Sequence, residues 1–118
     1  MMNPEQFNQI VELRIEKTKE LLKHKGLEYV RNNDKLHNFR TASRMNKEPM
    51  IVSLHGMLTK HLVSYLDIIS DIKQGKKISE ETINEKIGDI ITYFHLAECV
   101  LKESIILTNK IEIHDSPH

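Results

Sequence analysis

The side chains able to do chemistry fall mainly on two stretches. In one, Lys60 and His61 are followed by Ser64, Asp67 and Asp71; in the other, Glu85-Lys86-Ile87-Gly88-Asp89 precedes Tyr93 and His95. Asp67 and Asp71 stand at i and i+4, as do Glu85 and Asp89, so on helices each pair projects from one face. Paired carboxylates of this kind are either oxygen ligands for a hard cation or part of a solvated helix face. Lys60 is either a compact positive charge for a phosphate or the partner of Asp89 in a structural ion pair. His61 and His95 can each act as a base, and a histidine on a helix can equally be packed or hydrogen-bonded. The remaining histidines have no ligand-like spacing, and no glycine-rich phosphate loop, nucleophile elbow or cysteine-rich zinc pattern is present.

A third stretch, residues 27–47, is locally basic. Arg31, Lys35, Arg40, Arg44 and Lys47 stand against only Glu28 and Asp34, with Tyr29, His37, Asn38 and Phe39 between them. Guanidinium groups match phosphate oxygens, which makes Arg31, Lys35 and Arg40 candidates for an anionic ligand. Asn38 can both donate and accept, as reading a base or sugar requires. The other reading is the wet face of a short amphipathic helix.

Helices must position these groups. Ile51, Leu54, Leu58, Leu62, Leu66, Ile69 and Ile72 recur at steps of three and four, and Ile83, Ile87, Ile90, Phe94, Ala97, Leu101 and Ile105 do the same. Gln74-Gly75-Lys76-Lys77 joins the two into a helical hairpin over about 50–107. Its second arm is apolar over a stripe wide enough to need more than one neighbour. Ahead of it, Asn3-Pro4-Glu5 opens a helix that Gly26 is expected to stop, and Asn32-Asn33-Asp34 caps a short helix over about 35–45. Pro49 separates that helix from the hairpin, and Ser79 caps the second arm. Nothing asks for a sheet, so the fold expected is all-α, four helices in one domain over 1–107, with a partly disordered tail at 108–118.

Composition bounds the partners. Lys plus Arg and Asp plus Glu are 17 each, and this balance argues against general binding to nucleic acid or anionic membranes. A single cysteine, Cys99, cannot form an internal disulfide, and no leader or apolar run of membrane-spanning length is present. A reduced, cytoplasmic setting is expected.

The runs Lys25-Gly26-Leu27-Glu28-Tyr29, Asn33-Asp34-Lys35-Leu36-His37-Asn38-Phe39, Lys60-His61 with Ser64 and Asp67, and Glu85-Lys86-Ile87-Gly88-Asp89 with Tyr93 resemble a family of small phage and prophage proteins. The hairpin is more distantly similar to MazG-like all-α nucleotide pyrophosphohydrolases, in which helix-borne carboxylates hold magnesium against a nucleoside triphosphate. Asp89 is the direct match to that pattern, with Glu85 one turn earlier. Where the family has clustered glutamates on the first helix, this chain has Lys60, His61 and Ser64. The resemblance implies a MazG-like bundle in a phage-type protein of the host cytoplasm that binds a nucleotide or related phosphate through Arg31, Lys35, Asn38, Arg40, Lys60 and His61. It implies hydrolysis, with Glu85 and Asp89 catalytic, only if Asp67, Asp71, Glu85 and Asp89 together hold magnesium. The alternative is a non-catalytic accessory protein that binds a host or phage macromolecule. A homodimer through the hairpin is expected from its wide apolar stripe, and Lys60, Asp67, Glu85, Asp89 and Asn38 are expected to share one polar cleft.

Overall fold

In a computed structural model the chain is all-α, with elements α1 (Pro4–Tyr29), α2 (His37–Asn46), α3 (Met50–Lys73) and α4 (Glu80–Asp115). The structure describes the backbone of residues 1–29 and 33–115 and the side chains of 1–24 and 33–106.

Local chemistry sets most helix boundaries. Asn3 and Gln6 form a reciprocal cap: the Gln6 N–H donates to Asn3 Oδ1 (2.8 Å) and the Asn3 N–H to Gln6 Oε1 (3.0 Å). Gly26 does not stop α1, which runs through it to Tyr29; a glycine inside a helix costs only ~1 kcal/mol and does not by itself terminate one. Ahead of α2, Asn33 takes a left-handed conformation (φ 60°) and Asp34 Oδ1 accepts the Leu36 N–H (3.0 Å). The turn is therefore closed by a side chain two residues back, and α2 starts at His37. Left-handed Lys47 ends α2, and Glu48 then ties the corner: its carbonyl accepts from Ser43 Oγ and its carboxylate from Ser53 Oγ (2.9 Å).

At the far end of α3, Gly75 (φ 81°) donates to the Ile72 carbonyl and Lys76 to the Asp71 carbonyl, the paired bonds of a Schellman stop. Ser79 Oγ caps α4 by accepting the Thr82 N–H (3.1 Å). Beyond Leu107, where the apolar period fades, α4 continues to Asp115. Residues 116–118 of the expected tail lie outside the described residues.

The core sits where α2, α3 and α4 meet. Leu36, Phe39, Leu54, Leu58 and Val100 are buried, and Met57, Leu62, Tyr93, Leu96 and Ala97 pack against them. The wide stripe of α4 packs chiefly against α3 and α1. Helix α1 runs parallel to α4: the Arg14 Nη2 donates to the Asn84 carbonyl (2.9 Å), while Leu22, further along α1, borders a cavity shared with Tyr93 and Leu96. Gly88 leaves room for the Arg14 guanidinium, since a Cβ there would lie 2.5 Å from Arg14 Nη1. No helix among the described residues is long and apolar enough to cross a membrane.

Candidate functional site

Helix α2 and the turn before it border a cavity of about 680 Å³. Its apolar lining comes from all four helices: Leu22 of α1, Phe39, Ala42 and Met45 of α2, Met57 of α3, and Tyr93 and Leu96 of α4, with Leu36 from the turn before α2. Lys35, His37, Asn38 and Thr41 supply its polar groups, and Cys99 also borders it. His37 and Thr41 are one helical turn apart, with Thr41 Oγ1 3.5 Å from His37 Nε2. A volume of this size, mostly apolar and with a few polar groups, falls within the range of small-molecule pockets.

Aromatic rings connect the cavity to the hairpin. Phe39 meets Tyr93 edge to face with ring centres 6.4 Å apart, and Tyr93 lies against His61 at 4.6 Å. His61 Nδ1 is 3.5 Å from Asp89 Oδ2, each side chain about a quarter exposed. Asp89 thus faces His61, whereas the alternative of an ion pair with Lys60 is not formed. Neighbouring helix residues point ~100° apart, so α3 turns His61 to α4 and leaves Lys60 exposed.

The four carboxylates expected to hold magnesium do not assemble. Among the described residues no three His, Cys, Asp or Glu side chains could hold a metal ion. The hairpin register accounts for only part of this: with His61 opposite Asp89, Asp67 and Asp71 lie about 9 and 15 Å further along α3, at 1.5 Å per residue, whereas Glu85 lies about 6 Å from Asp89 in that same direction along antiparallel α4. Asp71 sits beside Lys76 (3.6 Å), Glu85 beside Lys86 (3.3 Å), and Asp67 is exposed. Lys60, Asp67, Glu85 and Asp89 do not line the cavity that Asn38 borders, so the single polar cleft expected from the sequence is not that cavity.

The basic stretch is also divided. Arg31 lies outside the described residues, and Lys35 is exposed and borders the cavity. Arg40 turns to carboxylates on both sides. Its Nε is 2.7 Å and its Nη2 3.2 Å from Asp34, and Nη2 and Nη1 are 3.0 and 2.9 Å from Glu103. The clamp ties the turn before α2 to α4. The Arg40 hydrogen bond holds the Asp34 carboxyl below its usual range, against the opposing effect of burial and with help from the Leu36 N–H. The two carboxylates push the guanidinium still higher, their hydrogen bonds outweighing burial. Arg40 therefore adds no net positive charge at the cavity, and Lys35 is the charged residue in its lining.

Tyr93, which links the cavity to His61, and Glu103, which completes the clamp, carry no sequence signal for these roles. The i, i+4 spacing of His37 and Thr41 is the one legible hint of a shared polar edge. Compared with known proteins, the chain matches no family model, and no curated protein or solved structure is significantly similar to it.

Proposed function

We propose that the protein is a non-catalytic ligand-binding protein of the nucleotide-handling class, taking one small molecule into the cavity beneath α2. The observation that carries this reading is the cavity's composition. An apolar lining that includes Phe39 and Tyr93 suits a planar body such as a nucleobase, while His37, Asn38 and Thr41 offer donors and acceptors to its edges. Lys35 as the charged lining residue suits a ligand with one anionic end, a nucleoside monophosphate in preference to a triphosphate. Since the carboxylates expected to hold magnesium do not assemble, no hydrolytic step is part of the proposal. The phage-type origin and cytoplasmic setting expected from the sequence belong to the same proposal, as does a homodimer.

Thermal melts with a panel of nucleosides, monophosphates and triphosphates, each with and without magnesium, test it. A ligand at a hundred times its dissociation constant adds ~2.7 kcal/mol to the stability of the folded state. The expected result is an upward shift with a monophosphate that magnesium does not enhance. Asn38→Ala, at an exposed position, should weaken that ligand several-fold while leaving the melting temperature of the free protein nearly unchanged. No shift with any member of the panel, or magnesium-dependent release of pyrophosphate from a triphosphate, would overturn the proposal.

A further inference from the structure

Two lining residues of the cavity also belong to a second space. Leu22 of α1 and Lys35 of the turn before α2 border the cavity, and both border an open groove of about 610 Å³ along α1. The other walls of that groove are Glu16, Lys19, Glu20 and Lys23, all charged. At Leu22 and Lys35 an apolar space therefore adjoins a charged one.

Helix geometry sorts these charges. At ~100° per residue, Lys19 and Lys23 lie about 60° and 100° around α1 from Leu22, and Glu16 and Glu20 about 120° and 160° in the same direction. The lysines thus stand next to the cavity edge and the glutamates on the outer side of the groove. Glu16 is also set back by about 9 Å along the axis from Leu22, whereas both lysines are within about 5 Å. Lys19, Lys23 and Lys35 are exposed, and none of them forms an ion pair with a described residue; nor do Glu16 and Glu20. Lys19 and Lys23, four residues apart on one helix, repel each other, and Lys35 adds positive charge from a different element. Unpaired ammonium groups gathered at the edge of an apolar cavity offer a place to an anion, and most to one with more than a single charge.

We infer that the phosphate of the ligand lies where cavity and groove meet, and that Lys19 and Lys23 of α1 join Lys35 there to select a single phosphomonoester. The inference rests on the ligand proposed for the cavity and adds to it two residues outside the cavity lining. A phosphomonoester carries nearly two negative charges at neutral pH, a phosphodiester one and a nucleoside none. Lys35 alone separates charged ligands from neutral ones. With Lys19 and Lys23 beside it the gap between dianion and monoanion widens, because the attraction scales with the product of the charges. Glu16 and Glu20 then have a use as well: on the outer side of the groove they repel a chain of further phosphates, which disfavours a triphosphate.

Calorimetric titration of the full chain at fixed ionic strength tests this, using adenosine, guanosine, cytidine and uridine, each as nucleoside, monophosphate, cyclic monophosphate and triphosphate. Lys19→Gln combined with Lys23→Gln should weaken the best-bound monophosphate about 10-fold, leave its nucleoside unchanged and remove most of the preference over the cyclic diester. Lys73→Gln with Lys77→Gln removes the same charge at exposed positions that border neither cavity nor groove, and should change nothing. Glu16→Gln with Glu20→Gln should narrow the gap between monophosphate and triphosphate. All these positions are exposed, so helical circular dichroism should be retained. Undiminished monophosphate binding after loss of Lys19 and Lys23, or equal weakening by both lysine pairs, would overturn the inference and leave the cavity proposal standing. Inorganic phosphate, titrated against chloride and followed by the lysine side-chain NMR signals, tests the groove without the cavity. Joint shifts of Lys19, Lys23 and Lys35 with no nucleotide bound would uphold the anion site while the cavity proposal fails, and no shift with no nucleotide bound would overturn both.

Discussion

Replacing Arg40 with Met separates two roles for this residue, a structural clamp and a ligand contact. In the structure its guanidinium makes charge-assisted contacts of 2.7–3.2 Å to Asp34 and Glu103, with the three side chains 32, 26 and 25% exposed. Methionine keeps most of the apolar stem but leaves two partly buried carboxylates without a counter-charge. A fully buried pair broken in this way loses several kcal/mol, whereas an exposed one loses under 1. At a quarter to a third exposure, ~2 kcal/mol is the reasonable figure. Spread over the unfolding entropy of a chain this long, about 0.25 kcal/mol per kelvin, that lowers the melting temperature by ~8 °C at neutral pH.

Acid supplies the second arm of the test. The folded-state pKa of Asp34 is depressed, so its contribution is complete above the unfolded value near 3.8 and disappears as pH falls through the lower folded value. The gap between wild type and Arg40→Met should therefore be constant from neutral pH down to about 5 and close below about 4. Differential scanning calorimetry across that range, repeated with the ligand that stabilises the wild type, reads both quantities. A shift below ~2 °C at neutral pH, or a loss of ligand-induced stabilisation with the free protein unaffected, would refute the clamp and return Arg40 to the ligand.

Three further substitutions probe individual contacts. Thr92 is 1% exposed and its hydroxyl has no hydrogen-bond partner, so Thr92→Val, which keeps the branched shape and removes the stranded hydroxyl, should stabilise the fold by ~1 kcal/mol in urea melts; a destabilised variant would mean that the hydroxyl is satisfied. Gly88→Ala gains ~1 kcal/mol of helix propensity but displaces the Arg14 guanidinium and its bond to the Asn84 carbonyl. It should be close to neutral alone and stabilising in an Arg14→Ala background, and equal effects in both backgrounds would show that the close approach does not matter. Asp89→Asn removes the charge facing His61 at 3.5 Å; chemical denaturation should show a loss under ~1 kcal/mol, since that contact is long and about a quarter exposed, and a larger loss would mark Asp89 as a central structural partner.

What the sequence determines here is local. Asn3 with Gln6, Asp34 with Leu36, Gly75 after α3 and Ser79 before α4 each complete a helix end through neighbours within a few residues. The three-and-four spacing of the apolar residues then makes the helical hairpin readable without coordinates. Gly26 and the region after Leu107 are exceptions of the same local kind, where helix continues past the expected interruption. Tertiary structure decided what depends on register and on partners distant in the chain. Which of Lys60 and His61 meets Asp89 turns on a 100° step around α3, and whether four carboxylates converge turns on both the register of α3 against α4 and the faces from which the side chains project. Arg40 looked like part of a basic patch until Glu103, far along the sequence, joined Asp34 at its guanidinium. The cavity likewise exists only because α1, α2, α3 and α4 meet around it, and no spacing within any one helix encodes a space left between four.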